Sequence, residues 1–320
     1  MRYSRTSAAV IALAAVLVSF GPKAVLGDTD DQLNVIVPLA AGGALDRVAR
    51  TVEQFLPETT VTVENHSPKK GEDGYQEFIS RPADGSTVLA WFEPAAAAYQ
   101  PGISLDDLAI INVQEIEPPI LVASRQTGWR NLQDMISAVR NAPNDYKLGI
   151  GGRTGGGPIL ASALLTNLDL ELTSVTYGSG GKARKGLKRG EVHLTAGSIN
   201  AVRKLGDKVT ALAVFSPRRL RSWPEVPTLR EALGPEADKA VSGAVYRFFA
   251  VHRRFAEEKP EAFQALVEKF RRMVQDSEGF HENAASKRVG AHWFGPMEST
   301  SLVQRSHQHF KKLIAELPPR

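Results

Sequence analysis

The 320-residue chain contains no cysteine. That excludes disulfides, thiol nucleophiles, thiolate metal sites and a lipidated cysteine anchor. After residue 20 no stretch approaches ~18 uninterrupted apolar residues, so the rest of the chain offers no membrane-spanning candidate and is expected to be soluble. A strong charge of one sign is also missing. Three of the 39 basic residues, Arg2, Arg5 and Lys23, precede Asp28 and no acid does, which leaves 36 basic against 35 acidic residues. That balance is no nucleic-acid footprint. H-E-x-x-H and G-x-S-x-G do not occur. A Walker A reading of Gly181-Lys182 fails twice, because Thr176 replaces its first glycine and Ala183 its Ser or Thr. A dinucleotide fingerprint at Gly149-Ile150-Gly151 fails at Thr154. No catalytic residue set, cofactor or metal site is therefore expected. His307 and His309 are spaced i, i+2, so on a helix they diverge, and they read as a solvated tail.

The N-terminus carries a different pattern. Arg2 and Arg5 precede an apolar run over residues 8–20, and Val25 and Gly27 place small residues at −3 and −1 of a cut before Asp28. Residues 1–27 are expected to be a secretory signal peptide, and a bacterial periplasm is the expected location. Beyond it, short apolar runs alternate with helical patterns. Strands are predicted at 33–37, 60–64, 87–91, 120–123, 147–150, 172–175, 192–196 and 209–215. Helices are predicted at 44–55, 132–141, 157–167, 182–188, 261–275 and 299–317. The alternation predicts an α/β fold with mainly parallel sheets. No repeat or low-complexity linker separates two halves, so two domains joined by crossing strands are expected.

Four predicted strands run into small, open loops: Pro38–Asp46, Gly151–Gly157, Tyr177–Gly181 and Gly197–Asn200. In α/β sheets ligands bind at the carboxyl ends of strands, where helix starts present unpaired N–H groups. Glycine there makes a tight turn or lets a ligand approach the backbone. Asp46 lies in a first helical turn, where the helix dipole favours an acid. It either caps the helix, orients the loop or selects an amine or hydroxyl on the ligand. Arg153 is either a direct charge-assisted contact or an outward, solvated residue. The basic helix 182–189 is either a solvated face or a positive field at a cleft mouth.

A set of short motifs in this order resembles a known family. They are Pro38-Leu39-Ala40-Ala41-Gly42-Gly43-Ala44-Leu45-Asp46 with Ala49-Arg50, Val63-Glu64-Asn65, Asp84-Gly85-Ser86-Thr87, Tyr177-Gly178-Ser179-Gly180, Gly190-Glu191-Val192 and Trp223-Pro224-Glu225-Val226-Pro227-Thr228-Leu229. Together they resemble the periplasmic solute-binding proteins of tripartite tricarboxylate transporters, the Bug family. The resemblance implies a two-lobed periplasmic binding protein fold of type II, the Venus flytrap. Lobe 1 would hold residues 28–124 and 250–320, and lobe 2 residues 125–249. A small carboxylate would sit between them, held largely by backbone groups and waters. Carried over by position, the ligand-binding residues are Ala40, Ala41, Gly42, Gly43 and Asp46, with Phe92 also from lobe 1. Lobe 2 would supply Gly151, Gly152, Arg153, Thr154, Tyr177, Gly178, Ser179, Ser198 and Asn200. The implied partners are the ligand and inner-membrane permease subunits, with the receptor a monomer. Departures from the family pattern are His66-Ser67-Pro68-Lys69-Lys70, Arg153, Lys182 and His193, and they make the cleft region more basic. A ligand-sensing receptor for a signalling partner, or a periplasmic enzyme using Asp46, Tyr177, Ser179 or His193, stays open at this point.

Overall fold

The first strand, β1 (Gln32–Val37), is buried from Val35 to Val37, as expected of a strand covered on both faces. The computed structural model describes residues 32–67, 71–98, 102–152 and 154–317. The expected signal segment, Pro68-Lys69-Lys70 and Arg153 lie outside the described residues.

Nine further strands follow among the described residues: β2 (Thr60–Asn65), β3 (Thr87–Glu93), β4 (Leu108–Glu117), β5 (Ile120–Ser124), β6 (Lys147–Ile150), β7 (Thr173–Thr176), β8 (Leu194–Gly197), β9 (Val209–Val214) and β10 (Val245–His252). They form two five-stranded sheets, ordered β2-β1-β3-β10-β4 and β7-β6-β8-β5-β9. In each sheet the fourth strand runs opposite to the other four. The reason is topological. The chain leaves β4 at its carboxyl end, passes Pro118-Pro119 and enters the second sheet at once as β5. After β9 it passes through residues 215–244, which include a helix at Leu229–Leu233, and returns into the first sheet as β10. Each crossing strand starts at the carboxyl ends of the parallel strands and runs back the other way.

The mainly parallel expectation therefore holds for the strands outside the crossings. The expected lobe limits at 124/125 and 249/250 need correction on sheet membership. A crossing strand belongs to the sheet it enters, so residues 120–124 pair in the second sheet and Val245 onwards in the first. The sequence patterns missed β4 and β10 because buried polar residues interrupt their apolar runs. Asn112, Gln114, Glu115 and Glu117 lie inside β4, and Arg247 inside β10. Each of them is paired. Asn112 donates to His292 O at 2.8 Å and accepts from Phe294 N at 2.9 Å.

The predicted helices appear at Ala44–Phe55, Leu132–Asn141, Gly156–Asn167, Gly180–Arg189, Pro260–Asp276 and Gly295–Glu316. The last is not confined to one lobe. Val303 packs into the first-sheet core with Leu89 and Trp91. Phe310 and Leu313 pack into the second-sheet core with Leu160 and Leu164. The expected solvated histidine tail is also corrected. His307 is buried, with Nδ1 2.9 Å from Oε1 of the fully buried Glu93. Burial pushes the Glu93 carboxyl above its ordinary range, against the opposing effect of His307. His309 lies exposed, 2.7 Å from Ser242 O.

Candidate ligand-binding cleft

The carboxyl ends of both sheets face one cavity of ≈ 180 Å³. Leu39, Ala44, Leu45, Phe92 and Glu117 line it from the first sheet, with Pro119, Val245 and Arg247 at the crossings. Gly151, Gly155, Gly156, Gly157, Pro158, Gly180, Arg184, Gly197 and Ser198 line it from the second. A larger cavity of ≈ 470 Å³ lies elsewhere, lined by Val202, Arg203, Gly206, Val209, Ala211, Trp223, Glu225 and Arg288. No strand carboxyl ends converge there, and of its two arginines Arg203 is already stacked 5.1 Å over Trp223. The smaller cavity is the candidate.

The first loop is organised around Asp46. Its Oδ2 accepts from Gly42 N at 2.8 Å, and its Oδ1 accepts from Asn65 Nδ2 at 3.0 Å and lies 3.4 Å from Arg50 Nε. Asn65 Nδ2 also donates to Leu39 O at 2.9 Å. Asp46, 5 % exposed, orients the loop and does not reach the cavity. Gly42 turns the chain with φ of +76°. Its N–H is committed to Asp46, and Gly43 N donates to Ala40 O at 3.3 Å. The expectation of open N–H groups is thus corrected at Gly42 and Gly43, whose N–H groups are both taken. Ala44 and Leu45 begin the helix, line the cavity, and find no acceptor for their N–H groups among the described residues. A helix start with no side-chain cap at Gly43 leaves those donors and the dipole's positive end open.

Of the expected residues, Gly151 and Ser198 on the second sheet and Phe92 opposite them line the cavity. The reason for Gly151 differs from the expected one. A Cβ there would stand 2.4 Å from Gly180 Cα, so the missing side chain lets two loops meet, rather than admitting a ligand. Gly152 and Thr154 flank the wall without lining it.

The remaining expected residues point elsewhere. Tyr177 tucks beneath Gly186, and its hydroxyl donates to Glu191 Oε2 at 3.2 Å. Gly178 is exposed. Ser179 caps its helix, accepting from Lys182 N at 3.3 Å. Asn200 donates to Arg288 O at 3.0 Å, a contact outside the cavity. His193 accepts from Lys147 N at 2.9 Å at the opposite end of β6, and burial lowers its pKa. Asp46, Tyr177, Ser179 and His193 therefore do not converge on one site. Among the described residues no group of three or more His, Cys, Asp or Glu could hold a metal ion.

Charged residues absent from the expected set shape the cavity. The register of β10 on β4 sets Arg247 opposite Glu115, with Glu117 two residues along the same face. Arg247 Nη1 donates to Glu115 Oε2 at 2.6 Å and Glu117 Oε2 at 3.0 Å. The other oxygen of Glu117 accepts from Ser198 Oγ, a hydrogen bond between the two sheets. Burial pushes Glu115 above its ordinary value, with Arg247 opposing. On Arg247 burial acts downward, but the two carboxylates outweigh it and hold its pKa above the ordinary value. Arg184, half-buried on the helix Gly180–Arg189, forms the cavity's remaining charge, and burial lowers its pKa.

Residues 46–251 match the model of the tripartite tricarboxylate transporter family receptor. The chain belongs to this family. A protein of Pseudomonas sp. (strain P51), named for the tcbD-tcbE intergenic region, is 30% identical over 214 residues, 62% of each chain. The match thus spans about three-fifths of that relative's length. Two solved structures share the fold. An R. palustris protein with adipate has a TM-score of 0.75 at 20% identity, covering 89% of this chain and 96% of its own. The periplasmic binding protein BugD also has a TM-score of 0.75 at 20% identity, covering 90% and 97%. The type II two-lobed α/β fold of this receptor family follows from these matches and the two sheets. Its two lobes carry the two sheets, and no helix among the described residues is long and apolar enough to cross a membrane.

Proposed function

We propose that this chain is a periplasmic solute-binding receptor that captures a small carboxylate in the inter-sheet cavity and delivers it to the permease subunits of a tripartite tricarboxylate-type transporter. The observation that carries the reading is one small cavity shared by the strand ends of both sheets, with the unpaired N–H groups of Ala44 and Leu45 opening into it. Such a helix start favours an anion. Adipate in a structural neighbour supports an acid of that kind.

The work is capture, not catalysis. A ligand touching both walls binds better when the lobes are closed, so it shifts the population towards that state. The closed receptor, a monomer exported behind residues 1–27, then docks on its membrane partner. Thermal-shift and calorimetric titration of residues 28–320, refolded to strip ligand, tests this. The panel holds succinate, glutarate, adipate, malate and citrate, with neutral sugars as controls. At a hundred times its dissociation constant a ligand adds about 2.7 kcal/mol. A shift by one or more acids and none by sugars is expected. A folded chain that answers to no acid overturns carboxylate capture, and turnover of a bound acid overturns the receptor reading.

A further inference from the structure

The cavity has two arginines in its wall, and they are not equivalent. Arg247 is spent on Glu115 and Glu117. Glu117 is spent on Arg247 and Ser198. Arg184 has no hydrogen bond or ion pair with any described residue. The charges that act on it are Glu117, which favours its charged form without a direct contact, and Arg47, which opposes it. Its own charge is left over.

Its position sharpens the point. Arg184 sits one turn into the helix Gly180–Arg189, and its guanidinium folds back towards the start of that helix. Nη1 lies 3.2 Å from the point where a Cβ on Gly180 would stand, and 3.8 Å from the equivalent point on Gly197. Side chains on a helix lean this way. A cation there faces the positive end of the dipole, and the first turn contains no acid to offset it. An anion in the cavity would favour this cation's charged form against its burial.

We infer that Arg184 is the residue that sets the ligand's charge, taking one ligand carboxylate by direct charge-assisted contact on the second-lobe wall. With the Ala44 and Leu45 N–H groups on the opposite wall, the ligand class is a small acid with two anionic ends rather than one. This rests on the receptor reading above. An acid and its monoamide have nearly the same shape, so the cavity tells them apart only by charge and hydrogen bonding.

Calorimetry would compare wild type, R184L, R184Q and R184K with succinate, glutarate and adipate and with the monoamide of each. Wild type should bind at least one diacid and prefer it to its monoamide. R184L and R184Q should weaken that diacid by roughly 10- to 100-fold and bring the acid-to-amide ratio close to one. R184K should fall between, because a point charge replaces a planar fork. Unliganded melting midpoints show which variants fold, and any one folded variant suffices for the comparison. If wild type binds a diacid and the folded variants keep its affinity, or keep the acid-to-amide preference, the role of Arg184 is overturned while the receptor reading stands. If wild type binds none of the acids, both fall.

Discussion

Replacing Arg247 with methionine removes the one cation between two buried carboxylates. Arg247 is 7 % exposed, and Glu115 and Glu117 are each 8 % exposed. Methionine keeps most of the apolar stem, so packing changes little and the loss is electrostatic. Breaking a buried pair by deleting one partner costs roughly 3–5 kcal/mol. Here one deletion strands two like charges, which places R247M at the upper part of that range at pH 8. The pH dependence has a definite sign. Glu115 is already held above its ordinary 4.5 by burial. The folded state therefore binds more protons than the unfolded chain just above pH 4.5, and its stability falls as pH rises through that window. Without Arg247 the opposing charge is gone, so Glu115 rises further and the window extends upward. The deficit of R247M should thus be greatest at pH 8 and shrink towards pH 5, where the carboxylates can bind protons. Urea titration at the two pH values, with unchanged slopes, measures it. The variant R247M/E115L/E117L should regain most of the loss, since apolar replacement of a buried ionic cluster is often neutral or better. A deficit below about 1 kcal/mol at pH 8, or one that does not shrink at pH 5, would refute the view that this triad is a buried, mutually compensated unit.

Other consequences follow from the same geometry. Asp46→Ala removes the acceptor of Gly42 N and should cost about 1–3 kcal/mol, with faster hydrogen exchange at the Gly42 amide as the direct readout. Gly151→Ala should part the two loops that meet at Gly180, costing roughly 1–3 kcal/mol and weakening ligand binding, both measurable on one sample by melting and titration. Phe310→Ala should cost about 3–5 kcal/mol in urea unfolding, although the residue lies on the chain's last helix. Ser198→Ala removes a hydrogen bond between the sheets, and small-angle scattering of the unliganded protein should show a larger radius of gyration than wild type.

Much of the fold was legible in the sequence because its signals are periodic. The apolar run of β1, the stripe of Leu132, Ile136 and Val139, and the glycine loops after strands all depend on residue type at fixed spacing. What stayed hidden depends on partners far away in the chain. β4 and β10 read poorly because their polar residues look like surface until each is set against the other. The site was legible as loops but not as atoms. Tyr177 and Asn200 are in the expected segments, yet their side chains turn to Glu191 and Arg288. Gly42 and Gly43 do not offer open N–H groups, because Asp46 takes the first and Ala40 O the second, and the open ones at the cavity are those of Ala44 and Leu45. Arg184 did leave a trace. It borders the buried pair Ala183 and Leu187, and no acid lies three or four residues from it in either direction within its helix. An arginine beside an apolar stripe without a helical partner is a better pointer than the total charge of the segment.

The final helix limits how the two halves can move. Gly295–Glu316 is seated in one core through Val303 and in the other through Phe310 and Leu313. The anchors at Val303 and Leu313 are about 15 Å apart along a continuous helix. A stiff rod fixed at both ends acts as a spacer. It forbids the lobes to separate or slide by more than side-chain slack, and it leaves rotation about an axis close to the rod. On the receptor reading proposed above, opening would then be a twist about this helix rather than a separation of the lobes.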